Sequence, residues 1–340
     1  KSNDITVKIN QKKSLIASWN AKMLDMKNLS AALSGSIITQ GHLIKDTAIY
    51  SEGNFSSNKL TYKNISTNNA KANWFIKNNT GDISLKIKNL LYNQLQLNNI
   101  VTELHGSKQK HSIHINLNSL DNNLTLDAKG TSHNNKWQET IGKLILKNRL
   151  LHLQNKKDIT ITLNNNHLNL PTSCLYGKSN NQVCAKLEVN ASNSWDSDIS
   201  AKNIPSNITK LVLANNMKLF GKLNSHITMS GKKFKIHKAQ AELSTTNGKL
   251  TYTDSMDKHQ LNFKQAIISA TLNNQSLETS GTLKINPEGT LKAHIDMNNF
   301  NWQKPSSHIK KISGSILASI KNINSIKGLF PATSTVSGTL

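Results

Sequence analysis

The sequence predicts an all-β protein built from antiparallel strands, with one apolar and one polar face. Two observations predict this fold class. Apolar and polar residues alternate strictly along many short segments, and short polar turns separate these segments. Aromatic residues make up 5% of the chain and hydrophobic residues 36%, so the apolar face consists mostly of aliphatic side chains. A sheet whose apolar face has so few large side chains must close on itself, pair with a second sheet, or stay open to an apolar ligand.

The length of 340 residues favours an elongated sheet over a compact body. A single core stops growing at roughly 250–300 residues, whereas a sheet that grows along one axis escapes this limit because each repeat contacts only its neighbours. Strands and turns every ~8–12 residues predict on the order of thirty strands. We therefore expect residues 1–340 to form one continuous elongated segment. The chain begins without Met or a signal peptide, which suggests a piece of a longer protein.

The alternating segments supply the residues that we expect on the apolar face. The clearest segment runs from Ile113 to Leu117 and sets His114 and Asn116 on the opposite face. The chain then turns at Asp121, and the alternation resumes at Leu124. The predicted lining of the apolar face is Ile113, Ile115, Leu117, Leu124, Leu126, Ile159, Ile161, Leu163, Leu168, Leu170, Ile268, Leu272, Leu283, Ile285, Leu291 and Ile295.

The two cysteines, Cys174 and Cys184, are separated by a turn-forming segment that contains Gly177 and the Asn180–Asn181 pair. The flanking strands would face each other at disulfide distance. Closing so short a loop contributes about 2–3 kcal/mol in the chain-entropy model. The alternative is a pair of buried free thiols in a cytosolic protein. We favour the disulfide, and with it an oxidising compartment.

Two short helices are predicted to interrupt the strands, near residues 206–216 and 322–330. Ser206 is placed to cap the first helix after Pro205, and Pro331 stops the second. Their amphipathic spacing predicts that one side of each helix faces the sheet. The residues expected to point inward are Ile208, Leu211, Val212, Ile323 and Ile326.

The formal net charge of +23 resembles that of a nucleic-acid-binding protein, but the distribution of the charge argues against this partner. Proteins that bind phosphate backbones use arginine forks and clustered basic patches. Arg149 is the only arginine, and the lysines are spread over turns and polar strand positions. This pattern is typical of a solvated face, with a mild preference for anionic membranes as the alternative. We expect no nucleic-acid partner.

No catalytic constellation stands out, so we expect a protein that is not an enzyme and that holds no cofactor or metal. The sequence contains no nucleophile elbow, paired-glycine fingerprint or zincin helix. His111 and His114 lie three residues apart, so in a strand they point to opposite faces and cannot share a metal. Asp196 and Asp198 share a face, but two carboxylates alone make a weak cation site.

Several motifs together resemble the TamB family, whose members are AsmA-like proteins of the translocation and assembly module in Gram-negative bacteria. They are Trp137, the Gly-Lys-Leu-Ile-Leu stretch at 142–146, Leu-x-Leu pairs at 151–153 and 168–170, the Cys174–Cys184 hairpin, Asn-Ile-Pro at 203–205, and Gly-Lys-Leu at 221–223. The resemblance is tightest over 137–340 and looser over 1–136. Leu175 departs from it, because an aromatic residue is expected after the first cysteine. The chain resembles a middle portion, without the membrane anchor or the C-terminal segment.

The resemblance implies a long sheet curled into an open, taco-like groove with an apolar interior. It implies a periplasmic bridge between the inner and outer membranes that conducts phospholipids and supports outer-membrane biogenesis. The partners would be phospholipids and an Omp85-type barrel, TamA, contacted through parts absent here. The anchor in the inner membrane would also lie outside this chain. The apolar positions given above would then line the lipid groove.

Other functions and folds remain open on the sequence alone. The chain could be a structural scaffold for the insertion of outer-membrane proteins or autotransporters with an Omp85-type partner. A β-helix or adhesin-like passenger would require a short fixed coil period, which is not seen. An outer-membrane barrel needs aromatic girdles, and five tryptophans and five tyrosines are too few for them.

Overall fold

The computed structural model describes residues 4–11, 14–28, 30–93, 95–119, 121–211, 216–253, 258–285, 289–300 and 311–320. The chain divides into two compact units, Lys1–Asn164 (unit 1) and Asn165–Leu340 (unit 2). The prediction that residues 1–340 form one continuous segment stays a prediction. Each unit is described by itself below.

Unit 1 contains thirteen strands among its described residues. They are β1 Asp4–Gln11, β2 Leu15–Met23, β3 Leu33–Gly35, β4 Ile37–Lys45, β5 Ile49–Tyr62, β6 Ile65–Lys77, β7 Thr80–Tyr92, β8 Leu95–Ser107, β9 Lys110–Asn118, β10 Asn122–His133, β11 Lys136–Asn148, β12 His152–Asn155 and β13 Ile159–Asn164. A 3-10 helix, Met26–Asn28, lies between β2 and β3.

Unit 2 contains nine strands among its described residues. They are β14 His167–Gly177, β15 Gln182–Val189, β16 Ser194–Pro205, β17 Met217–Lys232, β18 Lys235–Thr253, β19 Lys258–Asn273, β20 Ser276–Ile285, β21 Gly289–Asn298 and β22 Lys311–Ile320. Two 3-10 helices, Lys178–Asn180 and Ser206–Leu211, interrupt them.

Every observed pairing is antiparallel, and most join strands that follow each other along the chain. In unit 1 the neighbours run β1, β2, β4 to β11, and then β13. β3 pairs with β5, and β12 pairs with β11. In unit 2 the strands pair in order from β14 to β22. The predicted all-β antiparallel fold class is confirmed.

The strands are longer and fewer than predicted. The described residues hold 22 strands rather than about thirty, because many strands exceed the ~8–12-residue spacing assumed for a strand and its turn. The longest is β18, with 19 residues. Asparagine explains how long strands join through tight turns. Asn134 and Asn135, between β10 and β11, have φ values of 48° and 59°, the left-handed conformation that a two-residue hairpin of the I′ type requires and that asparagine tolerates.

The first predicted helix is present in the tighter 3-10 form, at Ser206–Leu211. The Ser206 hydroxyl donates to the carbonyl oxygen of Leu219 on β17, 2.7 Å away, and so ties the helix to the sheet. Ser206 and Thr209, which are 6% and 8% exposed, are its most buried described residues, whereas Ile208 is half-buried. The side chain of Leu211, with Val212, Ile323, Ile326 and the second predicted helix at 322–330, lies outside the described residues. Among the helices that the structure describes, none is long and apolar enough to cross a membrane.

Candidate functional site: the apolar face of each unit

The strand registers of unit 1 place an unbroken apolar row across the sheet. Residues directly opposite each other on antiparallel strands point to the same face, so the row can be followed from strand to strand. It crosses eleven strands, β1, β2, β4 to β11 and β13, and every member is apolar or glycine. Its members are Val7, Trp19, Gly41, Gly53, Trp74, Ile83, Leu104, Ile113, Ala128, Ile141 and Ile159.

Two tryptophans cover the part of the row that glycines leave without side chains. The Trp19 and Trp74 rings are stacked, with centroids 6.1 Å apart and planes 9° apart. A Cβ at Gly41 would overlap the Trp19 ring, and one at Gly53 would overlap the Trp74 ring, so both positions require glycine. Each indole N–H has a partner: Trp19 donates to Thr39 Oγ1 at 3.3 Å, and Trp74 donates to Ser51 Oγ at 3.1 Å. The two rings therefore present no free donor to a ligand.

Unit 2 carries a comparable row on one face of its sheet. It crosses the nine strands from β14 to β22, and serine at one position is its single polar member. Its members are Leu170, Leu187, Ser197, Met229, Ala239, Leu272, Leu277, Met297 and Ile312. Trp195 lies on the same face and covers Gly231, much as Trp19 covers Gly41. Its indole N–H donates to the carbonyl oxygen of Lys233 at 2.8 Å.

The predicted lining residues share the apolar face of their own unit. The registers place eight of them on this face of unit 1, on β9, β10 and β13, and eight on that of unit 2, on β14, β19, β20 and β21. His114 and Asn116 lie on the opposite face of unit 1, as the alternation predicted. That the two faces act as one lipid groove stays a prediction.

Burial differs widely among these lining residues. Leu163, Ile268 and Ile295 are 36%, 51% and 39% exposed, values typical of an uncovered face. By contrast, Ile285 is 1% exposed. It forms a packed cluster with Leu261 and Ile320, which Leu250, Leu283, Leu291 and Ala318 surround. Ile285 therefore belongs to a local core at the strand ends, whereas most of the predicted lining is open or half-open.

The disulfide between Cys174 and Cys184 is present and joins directly opposed residues of β14 and β15. The connection contains the 3-10 turn Lys178–Asn180, in which Ser179 and Asn180 have positive φ. Leu175 and Val183, the neighbours of the cysteines, lie on the apolar face, so the disulfide lies on the polar one. The bridge leaves the apolar face unobstructed.

Comparison of the chain with known proteins identifies its family. One protein-family model, described as "TamB, N-terminal domain", matches residues 1–340, which is the whole chain. The chain belongs to the TamB family. The recognition made from the sequence is confirmed, although the matching model is of the N-terminal domain and the sequence pointed to a middle portion. Neither the curated proteins nor the solved structures that were searched gave a match.

Membership of the TamB family gives the chain a TamB-type role in outer-membrane assembly and lipid transport. The family is anchored in the inner membrane and extends into the periplasm, and it acts with a TamA-like partner in the translocation and assembly module. The disulfide is the feature of this chain that agrees with an oxidising compartment.

The polar face of each unit carries pairs of histidine and carboxylate. Five such pairs have nitrogen–oxygen distances of 3.0 Å or less in the described residues. In unit 1 they are His105 with Asp82 and His114 with Asp127, and in unit 2 they are His167 with Glu188, His226 with Asp198, and His294 with Asp296. On the polar face of unit 1, the hydrogen bond from the Tyr50 hydroxyl to the Glu52 carboxylate raises the pKa of Tyr50. These side chains are partly exposed, which is typical of a solvated surface.

One such pair lies on the apolar face of unit 1, and sequence reasoning missed it. His111 Nε2 lies 3.0 Å from Glu139 Oε2, and both side chains are largely buried. The two residues face each other across Gly130, where a Cβ would overlap both groups. The alternation did place His111 on the face opposite to His114. It could not place Glu139 beside His111, because the two are 28 positions apart and on non-adjacent strands.

Proposed function

We propose that the chain conducts phospholipids along the apolar faces of its sheets, as part of a periplasmic bridge between the inner and outer membranes. The observation that carries the proposal is the apolar row that crosses eleven strands of unit 1 without a polar member. A row of this length gives acyl chains a path with no point at which they must contact a polar side chain. The role supports outer-membrane biogenesis, with a TamA-like barrel contacted through other parts of the full protein.

The physical chemistry of the row suits movement better than tight binding. Each methylene of an acyl chain that leaves water for an apolar surface gains roughly 0.8 kcal/mol. That gain depends on area rather than direction, so it is similar at every position along an aliphatic row. The indole N–H groups of Trp19 and Trp74 already donate to Thr39 and Ser51, so they do not hold a passing lipid by a hydrogen bond. A lipid is therefore held against the sheet while remaining free to slide.

The role that we propose is non-catalytic and needs no cofactor. The histidines and carboxylates of the polar face are used in partly exposed pairs with each other, an arrangement that keeps a sheet solvated. The lysines are dispersed and Arg149 is the only arginine, which argues for a soluble surface rather than a nucleic-acid interface.

Site-specific photo-crosslinking tests the proposal. A photo-crosslinking amino acid at Ile115 lies on the apolar face, and one at the adjacent Asn116 lies on the polar face. In cells, we expect phospholipid to be captured at position 115 and not at position 116, with mass spectrometry of the adduct as the readout. Equal capture at both positions, or no lipid at either, would reject a conduit on this face.

A single charge separates an open lipid path from a packed core. Ile115→Asp places a carboxylate on a half-buried position, where it can reach water. We expect the protein to fold, as followed by circular dichroism, and lipid passage to fall. In a dry core the same charge would go unpaired, at a cost of several kcal/mol, and the protein would unfold. Unfolding of this variant together with an absence of lipid crosslinks would favour a conventional packed sheet.

A second candidate function is a scaffold for inserting outer-membrane proteins. The observation that favours it is β1, where Ile5, Val7 and Ile9 are 55%, 55% and 66% exposed. Within the described residues β1 pairs only with β2, and an exposed apolar strand of this kind is suited to accept a strand from a client protein. A photo-crosslinker at Val7 that captures unfolded outer-membrane protein, combined with no lipid at Ile115, would favour this function.

A further inference from the structure

The apolar face of unit 1 contains a depression that its glycines create. On the face, a second cross-strand row runs from Ile76 through Gly81 and Gly106 to His111. Because two successive members have no side chain, the surface sinks between Ile76 and His111. The resulting cavity has a volume of about 310 Å³, and Ile83 and Leu104 of the main apolar row form one of its walls.

The opposite wall of this cavity is polar. It is formed where β6 turns into β7 and where β8 ends, by Asn78, Thr80, Ser107 and Lys108 among others. No residue that lines the cavity is an aspartate or glutamate, whereas one lysine and one histidine line it. The cavity therefore combines aliphatic side chains on one side with amide and ammonium groups on the other. This gradient matches an amphiphile whose polar end carries negative charge.

The buried pair of His111 and Glu139 strengthens the match. The Glu139 side chain is 7% exposed, and its Oε1 has no hydrogen-bond partner, whereas Oε2 lies 3.0 Å from His111 Nε2. Because Nε2 is hydrogen-bonded to Glu139, Nδ1 is the ring nitrogen left to contact a ligand in the cavity. The other histidine–carboxylate pairs named above lie on the polar face.

We propose that this cavity seats the phosphate-bearing head group of a glycerophospholipid while its acyl chains lie along the apolar row through Ile83, Leu104 and Ile113. The proposal rests on the proposed lipid path and adds to it one binding site for lipid head groups, which we call the station. Lys108 and His111, the two basic residues that line the cavity, contact the phosphate. A station of this kind gives the path a preference for phosphate-bearing lipids over neutral ones.

The decisive comparison uses Lys108→Gln and Lys110→Gln in the purified 340-residue chain. Both changes remove one exposed lysine, but Lys108 lines the cavity, whereas Lys110 points to the polar face. Binding of dioctanoyl phosphatidylglycerol and of dioctanoylglycerol is measured by isothermal titration calorimetry. These probes share their acyl chains and differ in the phosphate. Circular dichroism verifies the fold of each variant.

We expect Lys108→Gln to weaken phosphatidylglycerol binding about tenfold, the loss of one charge-assisted hydrogen bond. Binding of dioctanoylglycerol should not change, and Lys110→Gln should affect neither probe. A double variant, His111→Gln with Glu139→Gln, keeps a neutral hydrogen-bonded pair and should also lose the preference for phosphate. Unchanged phosphatidylglycerol binding in Lys108→Gln would overturn the station.

Two further outcomes separate the station from the lipid path. If the phosphate preference is absent while the crosslinker at Ile115 still captures lipid, the station is wrong and the conduit stands. If neither dioctanoyl probe binds and Ile115 captures no lipid, both fail. Inorganic phosphate alone serves as the last probe. Binding of free phosphate with the same loss in Lys108→Gln, and without competition by phosphatidylglycerol, would identify a simple anion site and reject a lipid seat.

Discussion

The same strands of unit 2 are packed at one end and open along the middle. Leu261 and Ile285, near one end of β19 and β20, are 2% and 1% exposed. On the same face, Ile268 of β19 is 51% exposed and Ile295 of β21 is 39% exposed. All four residues are large, aliphatic and inward by register. The difference in exposure therefore does not come from the residue types. It comes from the neighbouring side chains, which cover Leu261 and Ile285 in a packed cluster.

Irregular pairing accompanies the packed end. The register between β19 and β20 shifts between Phe263 and Gln265, just before the packed cluster. Phe263 is 2% exposed and covers Gly248, where a Cβ would overlap its ring. A bulge bends a strand and increases its twist, and this one lies beside the cluster in which Leu261, Ile285 and Ile320 of three strands pack together. From Ala266 to Asn273, β19 pairs with β20 without a register shift, and Ile268 in this part is 51% exposed.

The largest expected effect comes from truncating the packed end. Ile285→Ala should lower the free energy of unfolding by about 2–5 kcal/mol, because it removes buried methyl groups and leaves a cavity. Ile268→Ala, the same change on the open part, should cost about 1 kcal/mol or less. Urea unfolding followed by tryptophan fluorescence measures both. Equal losses would show that the open part is packed after all.

The disulfide should give the next largest effect. Replacing Cys174 and Cys184 together by serine releases a short loop and should cost about 2–3 kcal/mol in the chain-entropy model. Because the bridge lies on the polar face, lipid binding at a temperature where the variant is folded should not change. Thermal unfolding with and without reductant measures the cost in the native chain. A loss of lipid binding in the folded variant would contradict the assignment of the two faces.

Alanine substitutions at two glycines should change stability by smaller amounts and should distinguish a covered position from an open one. Gly41→Ala forces a methyl group against the Trp19 ring and should destabilise unit 1 by about 1–3 kcal/mol, as overpacking does. At Gly281 the nearest atom to an added Cβ is the Ile267 carbonyl oxygen, 4.0 Å away. Gly281→Ala should therefore be neutral or slightly stabilising. Thermal unfolding that shows no difference between the two variants would contradict the covering role of the tryptophan.

Much of the sheet could be predicted because the relevant physics is local. A period of two assigns each side chain to a face, so Ile113 and Ile115 could be separated from His114 and Asn116 without any knowledge of neighbours. The turn between Cys174 and Cys184 has the residues that reverse a strand, and this predicted the disulfide. The helix at Ser206 followed from its position after Pro205. These features depend on a few adjacent residues.

The sequence by itself determined the all-β fold, the composition of each face and the disulfide, because alternation and turn chemistry act over short distances. Only the tertiary structure decided which apolar residues are covered and which polar residues meet. Ile285 and Ile268 have the same alternation signal, and register and bulges alone separate a packed core from an open face. Likewise, His111 meets Glu139 because two intervening strand pairings bring them to one glycine. Contacts between distant segments depend on the summed registers of many strands, which no local pattern specifies.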